Sequence, residues 1–173
     1  YSENAEAILR DEQIATELKK SYIVHQPIGS IFGIMPWNFP YWQVFRFAAP
    51  ALMAGNSCLL KHSPNTFGCG ESIESIFLEA GLPEGLFGNL QTDTGTALEL
   101  IGHTSVAAVT LTGSARAGRA VAARAGAELK KCVLELGGSD PYIVLESADM
   151  DRAASICATS RMVNAGQSCI GAK

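Results

Sequence analysis

The fold class of this chain follows from the stretch Val106-Ala107-Ala108-Val109-Thr110-Leu111-Thr112-Gly113-Ser114-Ala115-Arg116-Ala117-Gly118. Its first six residues are apolar or β-branched, which is typical of a strand buried in a parallel sheet. Gly113 and Ser114 then lead into a predicted helix that ends near Gly126. A strand, a Gly-Ser turn and a helix N-terminus can together hold a phosphate on backbone N–H groups. Because the spacing of Gly113 and Gly118 is not that of the G-x-G-x-x-G fingerprint, this turn alone is weak evidence for nucleotide binding.

The same alternation of short apolar runs and helical segments extends along the rest of the chain. Strands are predicted at 22–24, 28–35, 57–61, 86–90, 106–111, 130–136 and 142–145, and helices at 3–20, 41–54, 67–80, 94–101, 115–126 and 149–165. Alternating strands and helices joined by short turns predict an α/β fold. We expect a doubly wound parallel sheet with helices on both faces, a three-layer αβα arrangement of the Rossmann type.

Composition and charge exclude several classes of protein. The chain has 173 residues, of which 47% are hydrophobic and 17% charged, so it can bury a core. A net charge of -4 provides no basic surface for nucleic acid or an acidic membrane. The sequence contains no run of eighteen apolar residues and no secretory h-region, so we expect a cytoplasmic protein. The five cysteines form no C-x-x-C pair and the three histidines are scattered, so neither a disulfide framework nor a metal site is expected.

Chemically useful groups follow four of the predicted strands, at Asn38, Lys61, Gly113-Ser114 and Glu135. The carboxyl ends of parallel strands meet at one crevice of such a sheet, so we expect these groups to lie together. Three of the four also have a simpler interpretation. Asn38, between Pro36 and Pro40, can be a turn former, Lys61 an exposed lysine, and Glu135 the partner of a lysine. Because Glu135 follows Val-Leu, we expect its carboxylate to be partly removed from water.

Two further segments carry candidate residues. Arg46 is the only charge in the apolar segment 41–54, and Trp42 lies four residues before it on the same helix face. Arg46 is therefore either a paired structural arginine or a clamp for a carboxylate. Cys169 lies among small residues and glycines in the stretch Asn164–Gly171, where its sulfur and backbone N–H can be accessible. The alternative is a buried cysteine that acts as a small hydrophobic residue.

Five motifs in the same order resemble those of the aldehyde dehydrogenase family. They are Pro36-Trp37-Asn38-Phe39-Pro40, Lys61 after Leu-Leu, Leu111-Thr112-Gly113-Ser114, Glu135-Leu136-Gly137-Gly138 and Gly166-Gln167-Ser168-Cys169. The resemblance covers nearly the whole chain from about residue 24. Within the family, Trp42-Gln43-Val44-Phe45-Arg46-Phe47 and Lys61-His62 are most similar to bacterial succinate-semialdehyde dehydrogenases.

The resemblance implies a role for each candidate residue. Cys169 would attack the aldehyde, Asn38 would donate a hydrogen bond to the resulting oxyanion, and Glu135 would activate water for deacylation. Arg46, with Trp42 beside it, would bind the carboxylate of succinate semialdehyde. The NAD or NADP site would be lined by Trp37, Lys61, Ser63, Pro64, Gly113, Ser114 and Leu136. Many NAD-preferring members have a glutamate where Pro64 stands here, and without that carboxylate a 2′-phosphate is not repelled, so NADP is plausible and NAD remains possible.

The resemblance also implies that the chain is part of a longer enzyme. Residues 1–136 would form a dinucleotide-binding domain with an incomplete N-terminal part, and 137–173 would begin a catalytic domain that is cut after the nucleophile loop. The parent enzyme would be a dimer or tetramer, and the isolated chain would be weakly active or inactive. One alternative is an aldehyde dehydrogenase that transfers the acyl group to CoA, although such members usually lack the base Glu135. Another is a dinucleotide-binding fragment without catalysis.

Overall fold

The computed structural model describes residues 1–172, and its N-terminal segment differs from the predicted helix over 3–20. Three short elements form instead: α1 (Ala5–Ile8), β1 (Glu12–Gln13) and β2 (Tyr22–Ile23). β1 and β2 pair as an antiparallel ribbon. Ile8 and Leu18, on which the long helix was predicted, are 58% and 68% exposed. The predicted helix was wrong because its apolar side chains have no surface to pack against, and short helices depend on such packing.

A five-stranded parallel sheet forms the centre of the structure. Its strands are β3 (Ser30–Met35), β4 (Ser57–His62), β5 (Phe87–Asn89), β6 (Val106–Gly113) and β7 (Lys131–Leu136). Their order across the sheet is β5-β4-β3-β6-β7, and every neighbouring pair is parallel. The sheet confirms the predicted α/β class.

Helices cover the sheet on both faces. Beyond α1, the α-helices are α2 (Trp42–Met53), α3 (Phe67–Glu79), α4 (Thr94–Ile101), α5 (Ala115–Ala127) and α6 (Met150–Arg161). Side chains of α2 and α3 form one core cluster with β3, β4 and β5, and side chains of α4 and α5 form a second cluster with β3 and β6. Alternation along β3 divides it between the two cores, because Phe32 belongs to one cluster and Met35 to the other. The predicted three layers are therefore present.

Side chains at the N-termini of α5 and α6 satisfy backbone N–H groups of the first helical turn. Ser114 Oγ accepts a hydrogen bond from Ala117 N–H at the start of α5, at 3.2 Å. Asp149 Oδ1 accepts one from Arg152 N–H at the start of α6, at 3.0 Å. Such caps satisfy donors that the first helical turn leaves without partners.

The segment after β7 differs from the prediction in two ways. Residues 142–145 form no strand, and Ile143 and Leu145 are 79% and 66% exposed. An extended segment becomes a strand only when a neighbouring strand satisfies its backbone, and none lies beside it in the described part of the chain. The helix predicted to reach residue 165 ends as α6 at Arg161, before a 3₁₀ turn, Val163–Gly166. The domain boundary at 136/137 stays a prediction, and Lys173, the last residue of the second predicted domain, lies outside the described residues.

Within residues 1–172, no helix is long and apolar enough to cross a membrane. In that same range, no group of three or more histidine, cysteine, aspartate or glutamate side chains is placed to hold a metal ion.

Leu60→Ala is expected to lower the free energy of unfolding of the chain by about 2–5 kcal/mol. Leu60 is fully buried on β4 between α2 and α3, so its removal leaves a cavity as well as losing buried apolar area. Leu145→Ala is the matched control, because the same atoms are removed at a side chain that is 66% exposed, and a change within about 0.5 kcal/mol is expected. Urea unfolding followed by circular dichroism measures both, and equal losses for the two variants would contradict the described core.

Candidate active site

The strand order reverses between β3 and β6, the two neighbouring strands at the middle of the sheet. From β3 the chain continues to β4 and β5 on one side, and from β6 it continues to β7 on the other. In open parallel sheets, ligands bind outside the carboxyl ends of the strands at such a switch point. Ile34 of β3 pairs with Leu111 of β6, so the loops that follow both strands begin side by side. These loops carry the motifs on which the sequence prediction depended.

A cavity of about 220 Å³ lies at this switch point. Five of the residues predicted to bind a dinucleotide line it: Trp37, Lys61, Ser63, Pro64 and Gly113. Its floor is formed by apolar residues of α4 and α5, including Ala97, Leu98, Ala117 and Val121. None of the described lining residues carries a carboxylate. We call this space the dinucleotide cavity.

Lys61 brings a buried positive charge to the dinucleotide cavity. Its residue is only 7% exposed, and burial lowers the pKa of its ammonium group, while the charge of Asp93 acts in the opposite direction. A buried cation is favoured most when an anion is close by. The simpler interpretation of Lys61 as an exposed lysine is therefore wrong, and the site is suited to a phosphate group.

A second cavity, of about 200 Å³, brings together the three residues predicted to be catalytic. Asn38, Glu135 and Cys169 all line it, although they lie in three segments far apart in the sequence. Trp37 and Gly113 line both this cavity and the dinucleotide cavity, so the two spaces adjoin. Ser114 and Leu136, the remaining predicted cofactor residues, line the second cavity alone. We call it the cysteine cavity.

Two hydrogen bonds join the Asn38 loop to the cysteine loop. The side-chain amide of Asn38 donates to the carbonyl oxygen of Gln167 at 2.9 Å, and the side-chain amide of Asn164 donates to the carbonyl oxygen of Asn38 at 2.8 Å. These bonds bridge segments that are 126 to 129 residues apart in the sequence. Asn38 is therefore more than a turn former, because its side chain holds the cysteine loop at the sheet.

The cysteine loop itself has an unusual backbone. Asn164, Ala165 and Gly166 all have positive φ, at 52°, 54° and 77°. Asparagine and glycine tolerate this left-handed region, whereas alanine is strained there. Arg161 Nη1 donates to the carbonyl oxygen of Gly166 at 3.0 Å and helps to hold the turn. The turn redirects the chain from α6 so that Cys169 reaches the cavity.

Glu135 is more exposed than its sequence context predicts. Its side chain is 57% exposed, so the expectation of a partly desolvated carboxylate is wrong. The reason is its place at the end of the edge strand β7: Cys132 and Leu134 pack toward the α4–α5 core, and alternation puts Glu135 on the opposite face. That face borders an open groove, which Glu135 lines together with Arg46.

Arg46 extends from α2 toward Glu135 rather than into the cysteine cavity. Its Nη1 lies 3.7 Å from Oε2 of Glu135, and its Nη2 donates to Thr112 Oγ1 at 3.1 Å. Its side chain is 40% exposed, so this ion pair is only loosely held. Trp42 is 68% exposed and lines neither cavity. The structure therefore places Arg46 at the edge of the site and Trp42 outside it.

His62 is a buried polar residue whose contacts the sequence did not reveal. It is fully buried, and its ring joins two loops of the site: Nε2 donates to the carbonyl oxygen of Pro40 at 2.9 Å, and Nδ1 accepts from Ser63 N–H at 3.0 Å. A carbonyl can only accept, so the proton is on Nε2. Burial is the main cause that lowers the pKa of His62, which keeps the ring neutral. The only sequence signal was its position directly after Lys61.

Gln43 and Thr112 are the other polar residues of the site that were missed. Thr112 anchors Arg46 and lines both cavities. Gln43 is 3% exposed, lines the cysteine cavity, and donates from Nε2 to Asn38 Oδ1 at 3.3 Å. A lone amide in the apolar segment 41–54 was the available signal for Gln43, and it was passed over in favour of the charge at Arg46.

The chain belongs to the aldehyde dehydrogenase family, whose family model matches residues 1–173.

The names of individual relatives are more specific than the family description. The chain is 53% identical over 173 residues to a probable succinate-semialdehyde dehydrogenase [NADP(+)] of Synechocystis sp. (strain PCC 6803), and 49% identical to a succinate semialdehyde dehydrogenase [NAD(P)+] of Escherichia coli K12. It matches the crystal structure of succinic semialdehyde dehydrogenase from Streptococcus pyogenes in complex with NADP+ with a TM-score of 0.95 and 38% identity. Each comparison covers 100% of this chain but only 37% or 38% of the relative.

Iodoacetamide is expected to alkylate Cys169 at least about a hundred times faster than Cys58 in the folded chain. Cys58 is 1% exposed, and burial raises the pKa of its thiol to about 12, so roughly one molecule in ten thousand carries the thiolate at pH 8. Cys169 instead lines a cavity. Time-resolved peptide mass spectrometry measures both rates, and labelling in denaturant is the control, where the difference should vanish. Similar rates in the folded chain would contradict the described placement.

Proposed function

We propose that this chain is the cofactor-binding and nucleophile-bearing part of an enzyme that oxidises an aldehyde to the carboxylic acid with NADP or NAD. The observation that carries the proposal is the cysteine cavity, where Asn38, Glu135 and Cys169 meet beside a second cavity that holds a buried lysine. The names of the relatives support the same reaction. Because the chain spans 38% of the length of the Synechocystis relative, the activity is proposed for a longer protein that contains it.

In the first step, the thiolate of Cys169 adds to the aldehyde carbon. The carbonyl oxygen becomes an oxyanion in the resulting thiohemiacetal, and the side-chain amide of Asn38 together with the backbone N–H of Cys169 donates hydrogen bonds to it. Donors arranged in advance of the reaction stabilise developing charge strongly, and the loss of one such donor costs about a hundredfold or more in rate. The bond from Asn38 to Gln167 supports this role because it points the amide protons toward the cysteine loop.

Loss of a hydride from the thiohemiacetal carbon to the nicotinamide that the dinucleotide cavity would hold, and of the oxyanion charge as the carbonyl re-forms, would leave a thioester on Cys169. In the second half of the reaction, water hydrolyses this thioester. Glu135 takes a proton from the water as the water oxygen adds to the carbonyl carbon, and the thiolate then leaves. The exposure of Glu135 leaves its carboxylate accessible to water. Its loose pairing with Arg46 also leaves it free to turn toward the cysteine cavity, which it lines.

The residues of the dinucleotide cavity fit a nicotinamide cofactor. Apolar residues of α4 and α5 would provide a surface for a base, Lys61 would provide a cation for a phosphate group, and the lining residues include no carboxylate that would repel a 2′-phosphate. This set favours NADP while leaving NAD possible. When bound, the cofactor supplies the hydride acceptor. Trp37 and Gly113, shared by both cavities, would place its reactive end next to Cys169.

Succinate semialdehyde is the proposed substrate. The relatives at 49% and 53% identity are named for it, and Arg46 supplies a cation in the open groove that Glu135 also lines. A free carboxylate of the substrate would compete with Glu135 for Arg46. Trp42 would contact the carboxylate end of the substrate only if parts of the protein outside this chain enclosed that end.

The chain is proposed to contain parts of two domains of a longer protein. Residues 1–136 would form the dinucleotide-binding domain and 137–173 the beginning of the catalytic domain, within a cytoplasmic homodimer or homotetramer. The exposure of Ile143, Leu145 and Ile170 supports this division, since these apolar residues would pack against the rest of a catalytic domain.

The full-length protein that contains this chain is expected to reduce NADP when given succinate semialdehyde, whereas the 173-residue chain alone is expected to be weakly active or inactive. The absorbance of NADPH measures both. A Cys169→Ser variant of the full-length protein is the control and should lose turnover, because an unactivated hydroxyl replaces the nucleophile. Absence of aldehyde oxidation by the full-length protein would refute the proposed function. Robust turnover by the 173-residue chain would refute the proposal that activity depends on further segments.

Arg46→Ala in the full-length protein is expected to raise KM for succinate semialdehyde about tenfold or more, with little change for a neutral aldehyde of similar length. The reason is the loss of a charge-assisted contact to the substrate carboxylate. Arg119→Ala, at an exposed position on α5, is the control for the loss of one positive charge. Steady-state kinetics with both aldehydes measures the effect, and an equal rise in KM for the two substrates would remove the carboxylate clamp.

A further inference from the structure

We propose that Gln43 is a positioning residue that sets the direction of the Asn38 side-chain amide, an inference that rests on the function proposed above. Gln43 lies on α2 and is only 3% exposed. It lines the cysteine cavity, but it lies outside the five motifs that carry the predicted catalytic and cofactor residues. It begins a series of two hydrogen bonds: Gln43 donates to the Asn38 side chain, and Asn38 donates to the cysteine loop.

One backbone carbonyl determines which group is the donor and which the acceptor in each of these two hydrogen bonds. The oxygen of Gln167 can only accept, so the group of Asn38 that faces it at 2.9 Å must be the NH₂ end of the amide. Asn38 Oδ1 therefore faces the other way, toward Gln43. The group of Gln43 that meets this oxygen at 3.3 Å must in turn be its own NH₂ end. The orientation of both amides follows without any ambiguity between nitrogen and oxygen.

The same reasoning places Gln43 Oε1 where it finds no donor. Within residues 1–172, this oxygen is buried and accepts no hydrogen bond. A buried acceptor without a partner destabilises a fold, and an apolar side chain of the same shape would avoid that loss. The amide at position 43 is therefore explained by what its NH₂ end does for Asn38 and not by a contribution to stability.

The residues at the two ends of this series of hydrogen bonds differ in rigidity. Gln167 is exposed and lies in a loop that begins with three residues of positive φ. Gln43 is held on α2, whose neighbouring residues Val44 and Ala48 are fully buried in the core. When the cysteine loop adjusts to substrate, the bond from Gln43 keeps Asn38 Oδ1 turned away from the cavity. The Nδ2 protons then stay directed at the position of the oxyanion.

Gln43→Met and Gln43→Glu in the full-length protein test this assignment. Methionine keeps the shape but removes both amide groups, so we expect kcat with the aldehyde to fall about tenfold, with unchanged NADP affinity and a melting temperature no lower than that of the wild type. An ionised glutamate can only accept, so it would attract Asn38 Nδ2 and reverse the amide. Its kcat is expected to fall about a hundredfold, further than that of Gln43→Met.

Gln91→Met is the matched control, because it removes one exposed amide that bonds to Glu71 outside both cavities. Its kcat should equal that of the wild type. Wild-type kcat in Gln43→Met, or a glutamate variant at least as active as the methionine variant, would overturn the inference. So would a loss of activity that only parallels a lower melting temperature, since that is the behaviour of a structural residue.

A measurement without turnover separates this inference from the proposed function. In the ¹⁵N-labelled 173-residue chain, Gln43→Met should shift the side-chain amide resonances of Asn38 and speed their hydrogen exchange, whereas Gln91→Met should leave them unchanged. Unchanged Asn38 resonances in Gln43→Met would refute the positioning role even if the enzyme is active. Shifted resonances with an inactive full-length wild type would refute the proposed function and leave the positioning role supported.

Discussion

The parallel pairing of β3 with β6 is the constraint on which the rest of this structure depends. These strands are neighbours in space although three α-helices and two strands separate them along the chain. Their pairing reverses the strand order, opens the crevice at their carboxyl ends, and starts the Asn38 loop and the Gly113 turn side by side. Both cavities of the site border these two loops. A shift of one residue in this register would point the side chains of β6 to the opposite face and dissolve the site.

The cysteine loop is attached to this frame by polar contacts rather than by a core. α6 has no buried residue, and the loop that follows it has a strained backbone at Ala165. What holds Cys169 near the crevice is the pair of hydrogen bonds that Asn38 makes with Gln167 and Asn164. Asn38 therefore has two tasks in the proposed enzyme, because the side chain that would stabilise the oxyanion also locates the nucleophile.

Buried polar side chains link the loops of the site into one unit. His62 joins the loop after β3 to the loop after β4, Gln43 joins α2 to Asn38, and Arg46 joins α2 to Thr112 and Glu135. Such contacts fix direction as well as position, because a carbonyl accepts and an amide nitrogen donates. The site is thus oriented by residues of α2 and β4 that lie outside the five motifs of the predicted catalytic and cofactor residues.

The sequence by itself determined the α/β class, the five sheet strands and most of the helices, because apolar periodicity, caps and turns are local properties. It also singled out Asn38, Glu135 and Cys169, through motifs that resemble those of the family; the structure brings the three residues to one cavity, and their catalytic roles stay a prediction. It failed where neighbours decide the outcome: the helix predicted over 3–20 and the strand predicted over 142–145 lack a surface or a partner strand. Only the tertiary structure showed that Glu135 is exposed at a sheet edge, that Lys61 is buried, and that Gln43 faces Asn38. Burial and hydrogen-bond direction depend on which segments meet in space, and no local pattern in the chain records that.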